Sequence, residues 1–149
     1  MTRPMPLPVE QLDERVAVFL ASFREASATL DVDAQRECFA ETFLVGDADG
    51  ARPVPREAFL QAVPARAAAA KEAGVGRAQL IEASMLRLDD SWVLLRTEWS
   101  SSLAAGGKLP MTSTFLLHDD QSELRITAYL NHRGLPVSGH LTTSSGEEL

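Results

Sequence analysis

The sequence predicts an α+β domain, with three N-terminal helices packed on one face of a strongly curved, mainly antiparallel sheet. Two observations carry this. Before Gly74-Val75-Gly76, apolar residues recur every three or four positions. After it, β-rich runs follow one another through short turn sequences, ending in Glu123-Leu-Arg-Ile-Thr-Ala-Tyr-Leu-Asn-His132. A change of period from helix to strand along one chain separates the two halves. The length of 149 residues is that of one domain, large enough to bury its own core.

The elements follow in order. Residues 1–7 read as a loose arm, since three prolines fall in the first eight positions. Pro8 suits the first turn of a helix, where its missing N–H has no partner to lose. Val9, Leu12, Val16, Phe19, Leu20, Phe23 and Leu30 form one stripe, placing the first helix at about 8–30. Asp31 or Asp33 caps a second helix, which turns Cys38, Phe39, Thr42 and Phe43 inward and ends near Leu44. Asp47-Ala-Asp-Gly50 is a turn between two short strands. Pro55 opens the third helix, with Phe59, Leu60, Val63, Ala67 and Ala70 inward. Pro64 bends it and Gly74 ends it. Strands are expected at about 77–88, 92–103, 108–118 and 123–132, joined by Asp89-Asp90-Ser91, Ala104-Ala-Gly-Gly107 and Asp119-Asp-Gln-Ser122. The Ser/Thr/Gly-rich residues 134–149 read as a flexible tail, so the folded domain spans 8–133.

Composition narrows the function. The net charge is −7, and the basic residues, 12 Arg with only Lys71 and Lys108, form no cluster. Nucleic-acid binding is therefore not expected. No apolar run approaches the ~20 residues of a membrane span, and the N-terminus has no signal-like apolar segment. Cys38 is the single cysteine, which excludes an internal disulfide and fits a reducing cytoplasm. A small hydrophobe is the reading for it, because no partner histidine is identifiable. The abundance of Ala and Arg hints at a GC-rich bacterial genome. No His/Cys/carboxylate spacing matches a metal site, and there is no phosphate-binding glycine loop or nucleophile elbow. No cofactor is expected.

The order α-α-(short β)-α-β-β-β-β resembles the NTF2-like superfamily, and within it the SnoaL-like proteins of bacteria. The resemblance rests on Phe43-Leu-Val-Gly-Asp47, on Val54-Pro-Arg-Glu-Ala-Phe-Leu60, and on Thr114-Phe-Leu-Leu117 followed by Leu124-Arg-Ile-Thr-Ala-Tyr-Leu-Asn-His132. These are scaffold patterns over about 8–133. They imply a cystatin-like cone, a curved sheet wrapped on helices around a pocket, often dimeric. Isomerases, dehydratases, epoxide hydrolases, polyketide cyclases and non-catalytic binders share that scaffold. No catalytic set of those enzymes transfers. The one tyrosine, Tyr129, falls on the last strand, and His118, His132 and His140 offer no dehydratase-like pair. Asp47 lies where a proton-shuttling carboxylate could sit, and its turn sequence explains it equally well.

Hairpin geometry proposes a pocket face. Pairing Leu103 with Lys108 sets Arg96 opposite Phe115, Glu98 opposite Ser113 and Trp99 opposite Thr112. Pairing His118 with Glu123 sets Phe115 opposite Ile126 and Ser113 opposite Ala128. A turn at 89–91 sets Ser84 opposite Arg96 and Glu82 opposite Glu98. The period of two then sorts the side chains. Leu86, Leu94, Phe115, Leu117, Ile126, Ala128 and Leu130 are expected to cover the helices, and Glu82, Arg96, Glu98, Ser113 and His132 to form a polar patch in the pocket. Two carboxylates beside an arginine can serve as acid and base, bind a polar ligand, or simply neutralise one another. Leu95, Trp99, Leu116 and Tyr129 fall on the other face, a surface suited to a homodimer. One bulge would exchange the faces beyond it.

Two functions follow. One is a binding protein with an apolar pocket for a small molecule and no assignable reaction. The alternative is a cofactor-independent acid–base enzyme of isomerase, dehydratase or cyclase type.

Overall fold

The computed structural model describes residues 12–133. The expected N-terminal arm, the helix start at Pro8, the tail and His140 lie outside the described residues.

The first described helix, α1 (Glu14–Thr29), is capped by Asp13, so Leu12 and Asp13 of the expected span are not helical. The Asp13 side chain accepts a hydrogen bond from the Val16 amide at 2.9 Å, a cap that the Leu12-Asp13-Glu14 sequence supplies. Val16, Phe19, Leu20, Phe23 and Ala26 form its buried stripe. Asp31 caps α2 (Val32–Arg36) through the Ala34 amide.

The second helix does not reach Leu44. It stops at Arg36, and Phe39–Asp47 form strand β1. Phe39, Phe43 and Val45 are buried while Glu41, Thr42 and Leu44 are exposed. A spacing of four residues is one helical turn and also two strand repeats, so Phe39 and Phe43 satisfy both periods. Val45 and the exposed Leu44 break the tie in favour of the strand.

Asp47 lies in the expected turn, its carboxylate accepting from the Asp49 amide at 2.9 Å. Strand β2 (Gly50–Pro55) returns antiparallel to β1. The third helix is divided into α3 (Arg56–Gln61) and α4 (Val63–Glu72). The break falls at Ala62, and Pro64, which has no N–H to donate, sits in the first turn of α4.

Strands β3 (Val75–Arg87), β4 (Trp92–Leu103), β5 (Lys108–Asp119) and β6 (Leu124–Arg133) complete a six-stranded sheet in the order β2-β1-β6-β5-β4-β3. Every pairing is antiparallel except β1 with β6. This is the expected α+β architecture.

Register is where expectation and structure part. Between β3 and β4, Ser84 faces Arg96 and Glu82 faces Glu98, as the turn at 89–91 predicts. Between β4 and β5 the hairpin closes at Ser102 and Lys108, one residue earlier than Leu103. Gly106 and Gly107 both hold positive φ (104° and 86°), a backbone that glycine permits, and Leu103 pairs with Val75 of β3 instead of with Lys108. Arg96 therefore faces Thr114, and Glu98 faces Thr112. Between β5 and β6 an irregularity at Leu116/Leu117 sets Phe115 opposite Tyr129 instead of Ile126.

The core lies between α1, α3 and the inner face of the sheet. Val16, Phe19, Leu20 and Phe23 pack with Met85, Val93, Leu95, Phe115, Leu117 and Ile126. An aromatic cluster extends it toward β1: Phe39 lies 4.7 Å from Phe43 and 5.1 Å from Phe59, ring to ring. At the opposite corner, the buried Asp119 carboxylate ties α1 to the sheet through Arg15 at 2.5 Å and Arg87 at 3.5 Å.

Candidate functional site

The one-residue slip splices the two expected faces. The inner face takes Met85, Val93, Leu95, Thr97 and Trp99 from one expected set and Ser113, Phe115, Leu117 and Ile126 from the other. The residues expected to line a pocket are divided by it. Ser113 is buried on the inner face. Arg96, Glu98, Glu82 and His132 occupy the outer face, away from the helices.

There they satisfy one another. The Arg96 guanidinium donates to Glu98 at 2.6 Å, with half of the Arg96 side chain exposed. Glu82 is exposed across from Glu98, and the exposed His132 shares a 2.7 Å hydrogen bond with Thr114. Three residues expected to support an outer dimer face, Leu95, Trp99 and Tyr129, are inside instead. Only Leu116 of that group is outside. The physical reason is the side-chain period of two, which sends every residue of a strand to the opposite face when its register moves by one.

The inner face holds a different polar set, at the edge of the aromatic core. Pro64 lies in the first turn of α4, and Arg66, the fourth residue of that helix, rests against Phe59. The guanidinium carbon lies 4.0 Å from the Phe59 ring centroid, a cation–π contact. Phe59 in turn lies 6.4 Å from the Tyr129 ring, which sits 4.8 Å edge-on from Phe115. Burial pushes the Arg66 pKa down, opposed by the Tyr129 hydroxyl. Burial pushes the Tyr129 phenol up, opposed by a hydrogen bond with Ser113 and by Arg66. The phenol is thus a neutral donor at neutral pH.

A line of hydrogen bonds supports this set from below. Trp99 Nε1 donates to Thr97 Oγ1 at 2.7 Å, and Thr97 Oγ1 donates to the Ser113 carbonyl at 3.1 Å. Thr97 is fully buried and Trp99 packs 6.5 Å from Phe23. Asn131 stands beside Ser113 in register. Trp99, Tyr129, Asn131 and Arg66 are each only partly buried, while Phe115 and Ile126 are fully buried.

Chemically, the edge of this aromatic cluster presents one guanidinium and one phenol. Among the described residues, Arg66 has no carboxylate at ion-pair distance, and the one buried acid, Asp119, is held by Arg15 and Arg87. A shallow depression on the outer side is bordered by Glu41, His118, Asp120, Glu123 and Arg125, whose Nε is buried without a hydrogen-bond partner among the described residues. There Arg125 donates to Glu123, and Asp120 accepts the amides of Ser122 and Glu123.

Arg66 and Tyr129 were not singled out as site residues from the sequence. A signal for Arg66 was present: it is the sole charge in Ala62-Val-Pro-Ala-Arg-Ala-Ala-Ala-Ala70 and lies three residues after the inward Val63. Tyr129 needed the bulge on β6 to turn it inward.

No protein-family model and no curated protein matches the sequence. Solved structures do match the fold. An NTF2-like protein of unknown function from Shewanella oneidensis MR-1 superposes with a TM-score of 0.60 at 15% identity, over 80% of this chain and 97% of that one. A protein of unknown function with a cystatin-like fold from Nostoc punctiforme PCC 73102 gives 0.60 at 11% identity, over 79% and 87% of the two chains. A candidate polyketide cyclase from Sinorhizobium meliloti gives 0.53 at 23% identity, over 83% and 97%. The architecture is the one these proteins share.

Proposed function

We propose, with the NTF2-like cone as premise, that this protein binds an apolar small molecule on the inner face of its sheet. The observation that carries the reading is the partly buried aromatic edge around Arg66 and Tyr129, whose polar groups have no acid to engage within the described chain. A binder is favoured over an acid–base enzyme because a general base must lie within reach of the proton it removes. Among the described residues the one buried acid, Asp119, is already ion-paired with two arginines, and Asp47, at the end of β1, is exposed and accepts from the Asp49 amide.

Native mass spectrometry of the purified protein tests the reading. A bound species of a few hundred daltons, released on denaturation, is expected. A chain that carries nothing, and whose melting temperature no apolar compound raises, would sink it.

The second reading is an enzyme of cyclase type. The fold shared with a candidate polyketide cyclase favours it, as does the pairing of a neutral phenol with a guanidinium, two donors that can stabilise an enolate oxygen. Deuterium wash-out from a β-diketone separates the two readings. A binder leaves the exchange rate at its solution value, whereas catalysed exchange that Tyr129→Phe abolishes would install the enzyme.

The working unit in this proposal is a homodimer through the outer face. Leu86, Leu94, Leu116 and Leu130 are partly exposed there around the Arg96–Glu98 pair, a mixed surface suited to a second copy. No helix among the described residues is long and apolar enough to cross a membrane. A reducing cytoplasm fits Cys38, whose thiol is pushed up to about 11 by burial and by Glu37, which keeps it protonated.

A further inference from the structure

We infer that the ligand class of this cone is a flat aromatic monocarboxylate, held by Arg66 and Tyr129. The inference rests on the small-molecule reading above and goes beyond it to chemistry. Its first observation is the setting of Arg66. A guanidinium taken partly out of water normally finds a carboxylate, because an uncompensated buried charge is expensive. Among the described residues Arg66 has instead the face of Phe59 at 4.0 Å and the Tyr129 hydroxyl as its electrostatic neighbour. A ring face stabilises the cation without using its N–H donors, which remain available for an acceptor.

The second observation is the aromatic cluster beside Arg66. Phe59, Phe39, Phe115 and Tyr129 form one contiguous aromatic group, with ring separations of 4.8 to 6.5 Å. A flat ring adds to such a group by offset or edge contacts. The polar end of the ligand must then meet both a planar fork of donors and a phenol. A carboxylate accepts two parallel N–H bonds from a guanidinium and has lone pairs left for the phenol.

Charge decides against a phosphate. Among the described residues one guanidinium, that of Arg66, rests on this aromatic group, enough for a monoanion, and the chain as a whole carries −7. A phosphate dianion would enter with one charge unbalanced in a poorly solvated place. A neutral ligand would leave the guanidinium as costly as before.

The test compares 2-naphthoate with its neutral isostere 2-naphthamide, by calorimetry on the full chain. The expected result is tighter binding of the acid by about tenfold to a hundredfold, the range of one charge-assisted hydrogen-bond pair. Arg66→Gln is expected to erase that difference while leaving the amide within about threefold of its starting affinity. Tyr129→Phe, which removes one oxygen and keeps the ring, is expected to weaken the acid about fivefold and serves if Arg66→Gln fails to fold. Equal affinity for acid and amide in the unaltered protein would overturn the ligand class and leave the small-molecule reading standing. So would equal losses for both compounds in Arg66→Gln. Binding of neither compound at millimolar concentration would overturn this inference, and the ligand-free chain in native mass spectrometry would then remove the small-molecule reading as well.

Discussion

Two arginines show how differently the two faces of one sheet treat a charge. Arg96 projects from β4 into water, half exposed, and closes on Glu98 two residues away. Arg66 reaches the other face from α4, rests on Phe59 and meets no acid among the described residues. The first is the common fate of a surface charge, a pair held at little cost and worth little. The second is a charge kept where solvent is scarce and neutralisation is left undone. Sequence alone favoured Arg96, because its carboxylate was two positions away and visible. The structure moves attention to the arginine whose neighbours are alanines.

Four outcomes can break or sharpen that contrast. The largest effect belongs to the floor of the inner face. Phe115 is fully buried against Phe23 and Tyr129, so Phe115→Ala is expected to destabilise the fold by about 3–5 kcal/mol. Urea unfolding measures this, and a loss below about 1 kcal/mol would mean that Phe115 is not the inner floor.

Next is the response to acid. The Arg15 hydrogen bond holds the Asp119 carboxyl below its ordinary value, with burial opposing and the Gln121 amide assisting. A folded-state pKa below the unfolded one contributes stability that is complete above the unfolded value, about 4, and is lost as pH falls through the folded value. Stability should therefore decline on acidification below about pH 4, and Asp119→Asn should decline less steeply. Asp120 and Glu57 are also depressed, by the Glu123 amide and by Arg36 first, so a residual slope is expected. Identical slopes for the variant and the parent would remove Asp119 from this role.

Assembly tests the outer face. Sedimentation at micromolar concentration is expected to give a dimer of the 16.2 kDa chain, and Leu116→Asp is expected to give a folded monomer. A monomeric parent would leave the outer leucines as ordinary exposed surface. The smallest effect is reserved for the pair first suspected of chemistry. Arg96→Ala should change stability by less than about 1 kcal/mol and leave ligand affinity unmoved. A loss of affinity there would place a binding function outside the cone.

Most of the architecture was legible. The helical stripe from Val16 to Phe23, the turn at Asp47-Ala-Asp-Gly50, the bend at Pro64 and the four long strands all follow from spacing and turn chemistry. The failure at Phe39–Phe43 came from a spacing common to helix and strand. The failure at the candidate site had a different origin. Every strand of the meander was recognised, yet Glu82, Arg96, Glu98 and His132 were assigned to the wrong face while Ser113 was assigned to the right one.

What the sequence determined by itself is local. Apolar period, caps and turn residues act between neighbours in the chain, so they are written in consecutive residues. Which face of β4 covers the helices is not local. It depends on whether Leu103 pairs with Lys108 or is left to Val75 of β3, which two glycines with positive φ allow, and on the irregularity that turns Tyr129 toward Phe115. Both choices are made by the whole core, because only one register puts Leu95, Phe115 and Ile126 together under Phe23. Arg66 enters the same space from a helix more than sixty residues before Tyr129. No local rule joins them, and their meeting is a product of tertiary packing.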